Sequence, residues 1–194
     1  MARTWKFSEP LVLASASPRR KELISRVAEN VEILPADIDE STVTASSPRA
    51  LVRELSRRKA LAVKALPQCR NKVVVGADTV VFLDKLYGKP RDFDDAVRIL
   101  SELNGREHYV YTGVTVAADS GSVTFSVRSS VVFRHLSDEE IKDYVSTHRP
   151  YDKAGAYAIQ EGVVVQSYKG SLTNIIGLPV EKLSEVLRGE KWLG

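Results

Sequence analysis

Three groups of side chains in this sequence have the types and spacing for chemistry on an anion. The first is Ser15-Ala16-Ser17-Pro18-Arg19-Arg20. It lies between a short apolar run and a helix-favouring stretch. The N–H groups of a helix start, two serine hydroxyls and two guanidiniums would therefore converge there. The planar arginine fork matches phosphate oxygens. The same residues would serve equally as a capped helix with solvated arginines. The second group is Gly76-Ala77-Asp78-Thr79, where an acid breaks an apolar strand run. A buried carboxylate is costly unless it is paired, hydrogen-bonded or bound to metal. Asp78 thus reads as a general base, a metal ligand, or an acid bonded to backbone at a bulge. Asp37, Asp39 and Glu40 on a neighbouring polar loop could complete an oxygen-rich Mg²⁺ site, although an acidic loop is ordinarily just solvated. The third group is Lys59, Lys89 in Gly88-Lys89-Pro90, and Lys153 in Tyr151-Asp152-Lys153-Ala154-Gly155. Most lysines only solubilise a surface, but these cations and carboxylates together suit a phosphorylated substrate with a divalent metal.

Other chemistries are missing. There is no G-x-x-x-x-G-K-[ST], no G-x-G-x-x-G and no G-x-S-x-G. His108, His135 and His148 are far apart and lack ligand spacing, so they read as surface or packing residues. These absences argue against a P-loop, a dinucleotide site and a histidine-based nucleophile relay.

The elements that must hold these groups follow from pattern. LVLA (11–14) reads as a buried strand, and Ser17 and Pro18 suit the cap and first position of a helix running on through RRKELISRVAEN. VEIL (31–34) is a second strand, and ADIDESTVTASS a polar loop. Pro48 opens a helix to about Leu66, with Leu51, Leu55, Ala62 and Leu66 on one face. VVVGADTVVFL (73–83) is a strand broken at Gly76–Thr79, followed by a turn and a short return strand at Leu86-Tyr87. A helix from Asp92 or Asp94 runs to Leu103, and Asp119-Ser120-Gly121 joins strands 108–117 and 122–133 into a hairpin. Ser137-Asp138-Glu139-Glu140 forms a capping box, GVVVQSY (162–168) another strand, and Pro179 starts a last helix ended by Gly189. Strand–helix units mixed with hairpins imply an α/β or α+β domain with a mixed sheet.

Composition bounds the rest. The 194 residues suggest one domain, 1–194, rather than two. The net charge of +3 is too small to argue for nucleic-acid binding. No apolar run is long enough to span a membrane. Cys69 is the single cysteine, and Met1–Lys6 carries no apolar core of a secretory signal. Cytoplasm is the expected location.

At its chemical groups the chain resembles the Maf family of nucleoside-triphosphate pyrophosphatases, once described as septum-formation inhibitors. The matching pieces, in the family's order, are LASASPRRKEL (13–23), DIDE (37–40), GADTVV (76–81), GKP (88–90), DKAGAYAIQ (152–160) and GLP (177–179). The resemblance implies an α/β fold with a mixed, twisted sheet flanked by helices, similar to inosine triphosphatases, with a substrate cleft between two lobes. It implies hydrolysis of a nucleoside triphosphate to monophosphate and pyrophosphate with Mg²⁺ or Mn²⁺. By motif, Asp78 is the implied proton acceptor. Lys59, Lys89 and Lys153 line the catalytic site, Ser15, Ser17, Arg19 and Arg20 the phosphates, and Glu40 joins Asp78 in holding metal or water. Arg19, Thr79 and Gln160 match the branch that acts on dTTP and UTP, a reading that extends to modified pyrimidine nucleotides. Related members often have Gly where Ala158 stands, and Gln-Gly without the intervening Glu161. The implied partner is a nucleoside triphosphate, with neither nucleic acid nor membrane, and a homodimer is compatible. Clearance of noncanonical nucleotides would be the purpose. A nucleotide-binding regulator of cell division with little turnover is the competing reading.

Overall fold

The computed structural model describes residues 6–189 and Trp192. Most of the Met1–Lys6 segment therefore lies outside the described residues. The order is β1 (Leu11–Leu13), α1 (Pro18–Ile24), β2 (Val31–Ile33), α2 (Pro48–Lys64), β3 (Val73–Phe82), β4 (Leu86–Tyr87), α3 (Phe93–Leu103), β5 (Glu107–Ala118), β6 (Gly121–Phe133), α4 (Asp138–His148), β7 (Val165–Lys169), α5 (Leu172–Ile176) and α6 (Val180–Gly189). The strands form one seven-stranded mixed sheet, β2-β1-β3-β5-β6-β7, with β4 on the far end of β3. β1 runs parallel to β2 and β3, and the other pairs are antiparallel. This is the expected mixed α/β sheet flanked by helices. No described helix is long and apolar enough to cross a membrane.

Several expected boundaries move. β3 is not broken at Gly76–Thr79 but runs unbroken with regular pairing to β5. Its β-branched residues favour strand on both sides of the insert, and α2 covers the polar interruption, so no bulge forms. α1 stops at Ile24 after seven residues, well short of Asn30. β7 begins at Val165, because 159–161 forms a 3₁₀ turn and the backbone turns left-handed at Gly162. The five-residue α5 is too short to show helical periodicity and is missed by pattern. The capping box is as expected: Ser137 caps Glu140 N–H, and Glu140 bonds back to Ser137 N–H.

Strand alternation assigns faces. Val73, Val75 and Ala77 pack with Leu23 and Ile24 of α1 and Leu183 and Leu187 of α6. Val74 faces the other way, against Ala60 and Val63 of α2. By the same period of two, Asp78 points to the α2 side and Thr79 to the α1 side. At the opposite end of the sheet a separate core joins Val81, α3, α4 and Phe133. The sheet thus carries two packed lobes.

The α2 backbone lies almost on the strands. A Cβ on Gly113, paired with Asp78, would sit 2.1 Å from Val52 O, and one on Gly76 would sit 2.5 Å from Ser56 O. Only glycine permits this approach. Gly113→Ala should cost about 3 kcal/mol, the upper end of ordinary overpacking, read as a lower urea midpoint.

His108 is fully buried in the second lobe, its Nε2 3.0 Å from Tyr157 Oη and its ring against the edges of Phe133 and Tyr157. Burial lowers its pKa from 6.5 to about 4. The unfolded chain protonates first as pH falls, so the stabilisation is complete above pH 6.5 and disappears towards pH 4. Stability should fall by about 3 kcal/mol across that window. In His108→Phe, urea midpoints measured against pH should lose that slope.

Candidate active site

Between the lobes lies a cleft of about 560 Å³. Its walls come from the β1–α1 turn, α2, the end of β3, the turn after β4, the 152–160 segment and the end of α5. Ser15, Ser17, Arg19, Arg20, Glu40, Lys59, Asp78, Thr79, Lys89, Lys153 and Gln160 all line it. Residues separated by up to 145 positions in sequence thus share one cavity. Asp37 and Asp39 do not line it. Asp39 instead accepts from Ser41 N–H at 3.0 Å and from the Ser41 hydroxyl, capping the 3₁₀ turn Glu40–Thr42.

The floor is an ion triad. Lys59 Nζ lies 2.6 Å from Asp78 Oδ1 and 2.9 Å from Glu40 Oε1. The Lys59 and Asp78 side chains are each 11% exposed, so the ammonium compensates a desolvated carboxylate. Glu40 is half exposed and joins from the rim. Asp78 Oδ2 makes no hydrogen bond to described protein groups, and Asp78 borders the cavity. No described group of three or more His, Cys, Asp or Glu is arranged to hold a metal. Asp78 and Glu40 nevertheless converge on one cation, Lys59, and offer the hard oxygen donors that Mg²⁺ takes. Mg²⁺ commonly binds through one or two carboxylates plus substrate phosphates, so this pair fits a metal carried in with a phosphate chain.

Arg20 is held by three segments at once. Its Nε donates to Gly177 O at 2.9 Å, one terminal nitrogen to Ser15 Oγ at 3.2 Å and the other to Thr79 Oγ1 at 2.9 Å. Burial lowers its pKa, an effect opposed by the nearby Asp78 carboxylate. Thr79 in turn bonds Thr112, whose hydroxyl donates to Asn174 O at 3.0 Å. This chain fixes the arginine against the sheet and leaves its remaining N–H groups for an anion. Arg19 instead reaches across the cleft to Asp152, at 2.7 Å to Oδ2 and 3.2 Å to the backbone O. Lys153 holds the other oxygen of Asp152 at 2.9 Å, so one carboxylate gathers two cations. That makes Asp152 part of the site, a role that the sequence signals only through its place at the head of the DKAGAYAIQ segment beside Lys153. Ser17 spends its hydroxyl on the α1 cap, and α1 has only seven residues. The side-chain cations therefore carry more of the anion attraction than the expected helix start does. Lys89 is exposed on the rim and has no ion-pair partner among the described residues.

Five cations (Arg19, Arg20, Lys59, Lys89, Lys153) meet three carboxylates (Glu40, Asp78, Asp152) in the lining. The surplus of two positive charges favours a polyanion, and the buried acid beside it provides a proton acceptor or a ligand for a cation.

A family model described as Maf-like protein matches residues 10–190. A dTTP/UTP pyrophosphatase of Thermosipho africanus is 43% identical over 180 residues, covering 91% of each chain. A dTTP/UTP pyrophosphatase of a Geobacter species is 44% identical over 183 residues, covering 92% of this chain and 94% of its own. A nucleoside-triphosphatase / dITP/XTP pyrophosphatase from Mycobacterium abscessus is a partial structural likeness, with a TM-score of 0.42 and 14% identity over 66% of this chain and 73% of that one.

Breaking the triad should expose its energetics. Lys59→Met leaves Asp78 buried without a counter-charge and should cost about 3 kcal/mol. Adding Asp78→Asn to that variant should restore a large part, giving a double-mutant coupling of at least about 1 kcal/mol in urea unfolding.

Proposed function

Because the chain belongs to the Maf family, matched over residues 10–190, we propose that it hydrolyses dTTP and UTP to the monophosphate and pyrophosphate. The observation that carries this reading is Asp78. It is a buried carboxylate at the floor of a cationic cleft, anchored through one oxygen by Lys59, with the other oxygen unbonded. A site that only bound a polyanion would gain nothing from an acid there. A regulator of cell division with little turnover is therefore the weaker reading.

In this mechanism Arg20, Arg19, Lys89 and Lys153 bind the phosphate chain and neutralise its charge. Electrostatic stabilisation of this kind is usually the largest catalytic contribution. Arg20 keeps its orientation through Ser15, Thr79 and Gly177, so little reorganisation accompanies binding. Asp78 Oδ2 accepts a proton from a water directed at the α-phosphate, while Lys59 holds Oδ1 and fixes the carboxylate plane. Asp78 and Glu40 would hold Mg²⁺ or Mn²⁺, which supplies Lewis-acid stabilisation of charge on the phosphoryl oxygens. Gln160, exposed in the cleft, offers an amide donor and acceptor that match the O4 and N3–H edge of uracil and thymine. The reading includes the cytoplasm as location, which the lone buried Cys69 fits, and excludes nucleic acid as a partner.

Product analysis tests the reaction class. With Mg²⁺ or Mn²⁺ and a panel of nucleoside triphosphates, UTP should give UMP and pyrophosphate, with 7-methyl-GTP a poor substrate. UDP as the first product would refute the reading. Asp78→Asn leaves Lys59 an amide oxygen and the Glu40 carboxylate at 2.9 Å as partners, so it should still fold, with a lowered melting temperature, while kcat falls about 10²–10⁴-fold.

A second test concerns the base. Gln160→Ala should lower kcat/KM for UTP by about 1–3 kcal/mol in activation free energy, with little change in inhibition by pyrophosphate. Equal losses for both ligands would exclude Gln160 from reading the base.

A further inference from the structure

Gln160 enters the cleft from a single 3₁₀ turn, Ile159–Glu161, which has no strand or long helix of its own. Gln160 makes no hydrogen bond to the described protein groups. A lone flexible amide discriminates weakly, because it can rotate to satisfy either hydrogen-bond pattern. Something else must fix the turn if it is to distinguish a 4-oxo from a 4-amino pyrimidine.

The anchor lies on α4. Ala158 N–H donates to Tyr144 Oη at 3.2 Å, and the Tyr144 hydroxyl donates to Glu161 Oε2. The polarity of this chain is forced. An amide nitrogen only donates and a carboxylate only accepts, so the hydroxyl must receive from Ala158 and give to Glu161. The chain clips both ends of the Ala158–Glu161 segment to one rigid group. Tyr144 is 3% exposed in the second-lobe core, and α4 is closed by its capping box. The other Glu161 oxygen faces Lys153 Nζ at 3.8 Å, and His148 Nδ1 lies 3.6 Å from Oε2. The His148 ring stacks on Tyr144 at 4.6 Å between centroids. Glu161 thus stands between the turn that carries Gln160 and a lysine on the phosphate side.

We propose that Tyr144 and Glu161 are positioning residues for base selection, holding the Gln160 turn at a fixed distance and orientation from Lys153 and the phosphate site. This rests on the reading that the cleft holds a nucleoside triphosphate with its base at Gln160. Neither residue touches the substrate. Both act through the backbone of Ala158–Glu161, whose polar groups set the sense in which a base edge can pair. Loosening the clip should admit the 4-amino edge of cytosine nearly as well as the 4-oxo edge of uracil.

The test compares wild type with Tyr144→Phe, Glu161→Ala and Glu161→Gln, measuring kcat/KM for UTP and for CTP with Mg²⁺ and inhibition by pyrophosphate. Tyr144→Phe and Glu161→Ala should each lower the UTP/CTP ratio about tenfold, the size of one base-edge hydrogen bond. Pyrophosphate inhibition should stay within about twofold, because Lys153 loses only a long 3.8 Å pair to Glu161 and keeps Asp152 at 2.9 Å. Glu161→Gln keeps an acceptor for the tyrosine hydroxyl and should retain a ratio within about threefold of wild type. Equal losses for UTP, CTP and pyrophosphate in folded variants would show a structural staple only and overturn the proposal. An unchanged ratio in Glu161→Ala would do the same, and that half-buried site decides the matter even if Tyr144→Phe fails to fold. A wild-type protein that turned over no nucleoside triphosphate would instead overturn the functional reading beneath it.

Discussion

A helix backbone resting directly on two strands is the constraint from which the rest of the site follows. Gly76 and Gly113 let α2 settle against β3 and β5. At that distance Lys59 Nζ reaches Asp78 Oδ1. A carboxylate at that depth would otherwise be an uncompensated charge, and an ammonium there would be equally unfavourable. Each makes the other tolerable. Their pairing leaves one oxygen of Asp78 open to the cleft, which is what a proton acceptor or a metal ligand needs.

Alternation along β3 divides the chemistry between the two faces of the sheet. Asp78 turns to the α2 side and meets Lys59, whereas Thr79 turns to the α1 side and meets Arg20. Two adjacent residues of one strand thereby place two different cations, Lys59 and Arg20, in one cavity. The second lobe closes the cavity with the 152–160 segment. Asp152 draws Arg19 and Lys153 together from opposite sides. Several cations that would face a phosphate chain are therefore held by protein acceptors, which limits the reorganisation that anion binding would require.

The second lobe contributes order in the region where the chain is irregular. Between α4 and β7 the backbone has only 3₁₀ turns and left-handed residues at Arg149, Gly155, Ala156 and Gly162. Such a segment keeps its shape only through contacts outside itself. Tyr144 supplies one through its hydroxyl, and Tyr157 supplies another by packing on Phe133 and His108.

The sequence alone carried the strands and helices whose signals are local. The LVLA and VVVGADTVVFL runs, the Ser17-Pro18 and Ser137–Glu140 caps and the Asp119-Ser120-Gly121 turn all sit where pattern places them. It also marked Asp78 as an acid out of place, because one charge in an apolar run has to be compensated somewhere. Tertiary structure decided what local pattern does not encode. It kept β3 continuous across Gly76–Thr79, because α2 covers the interruption and supplies the counter-charge. It turned Asp39 into a cap and left Glu40 alone at the rim, because a loop's direction depends on what it packs against. It built α5, whose five residues show no periodicity and whose position follows from Asn174, buried against Val110 and Ser129. It brought Asp152, Glu161 and Tyr144 to the site across long separations, because side chains find such partners only after the sheet has set the register of everything attached to it.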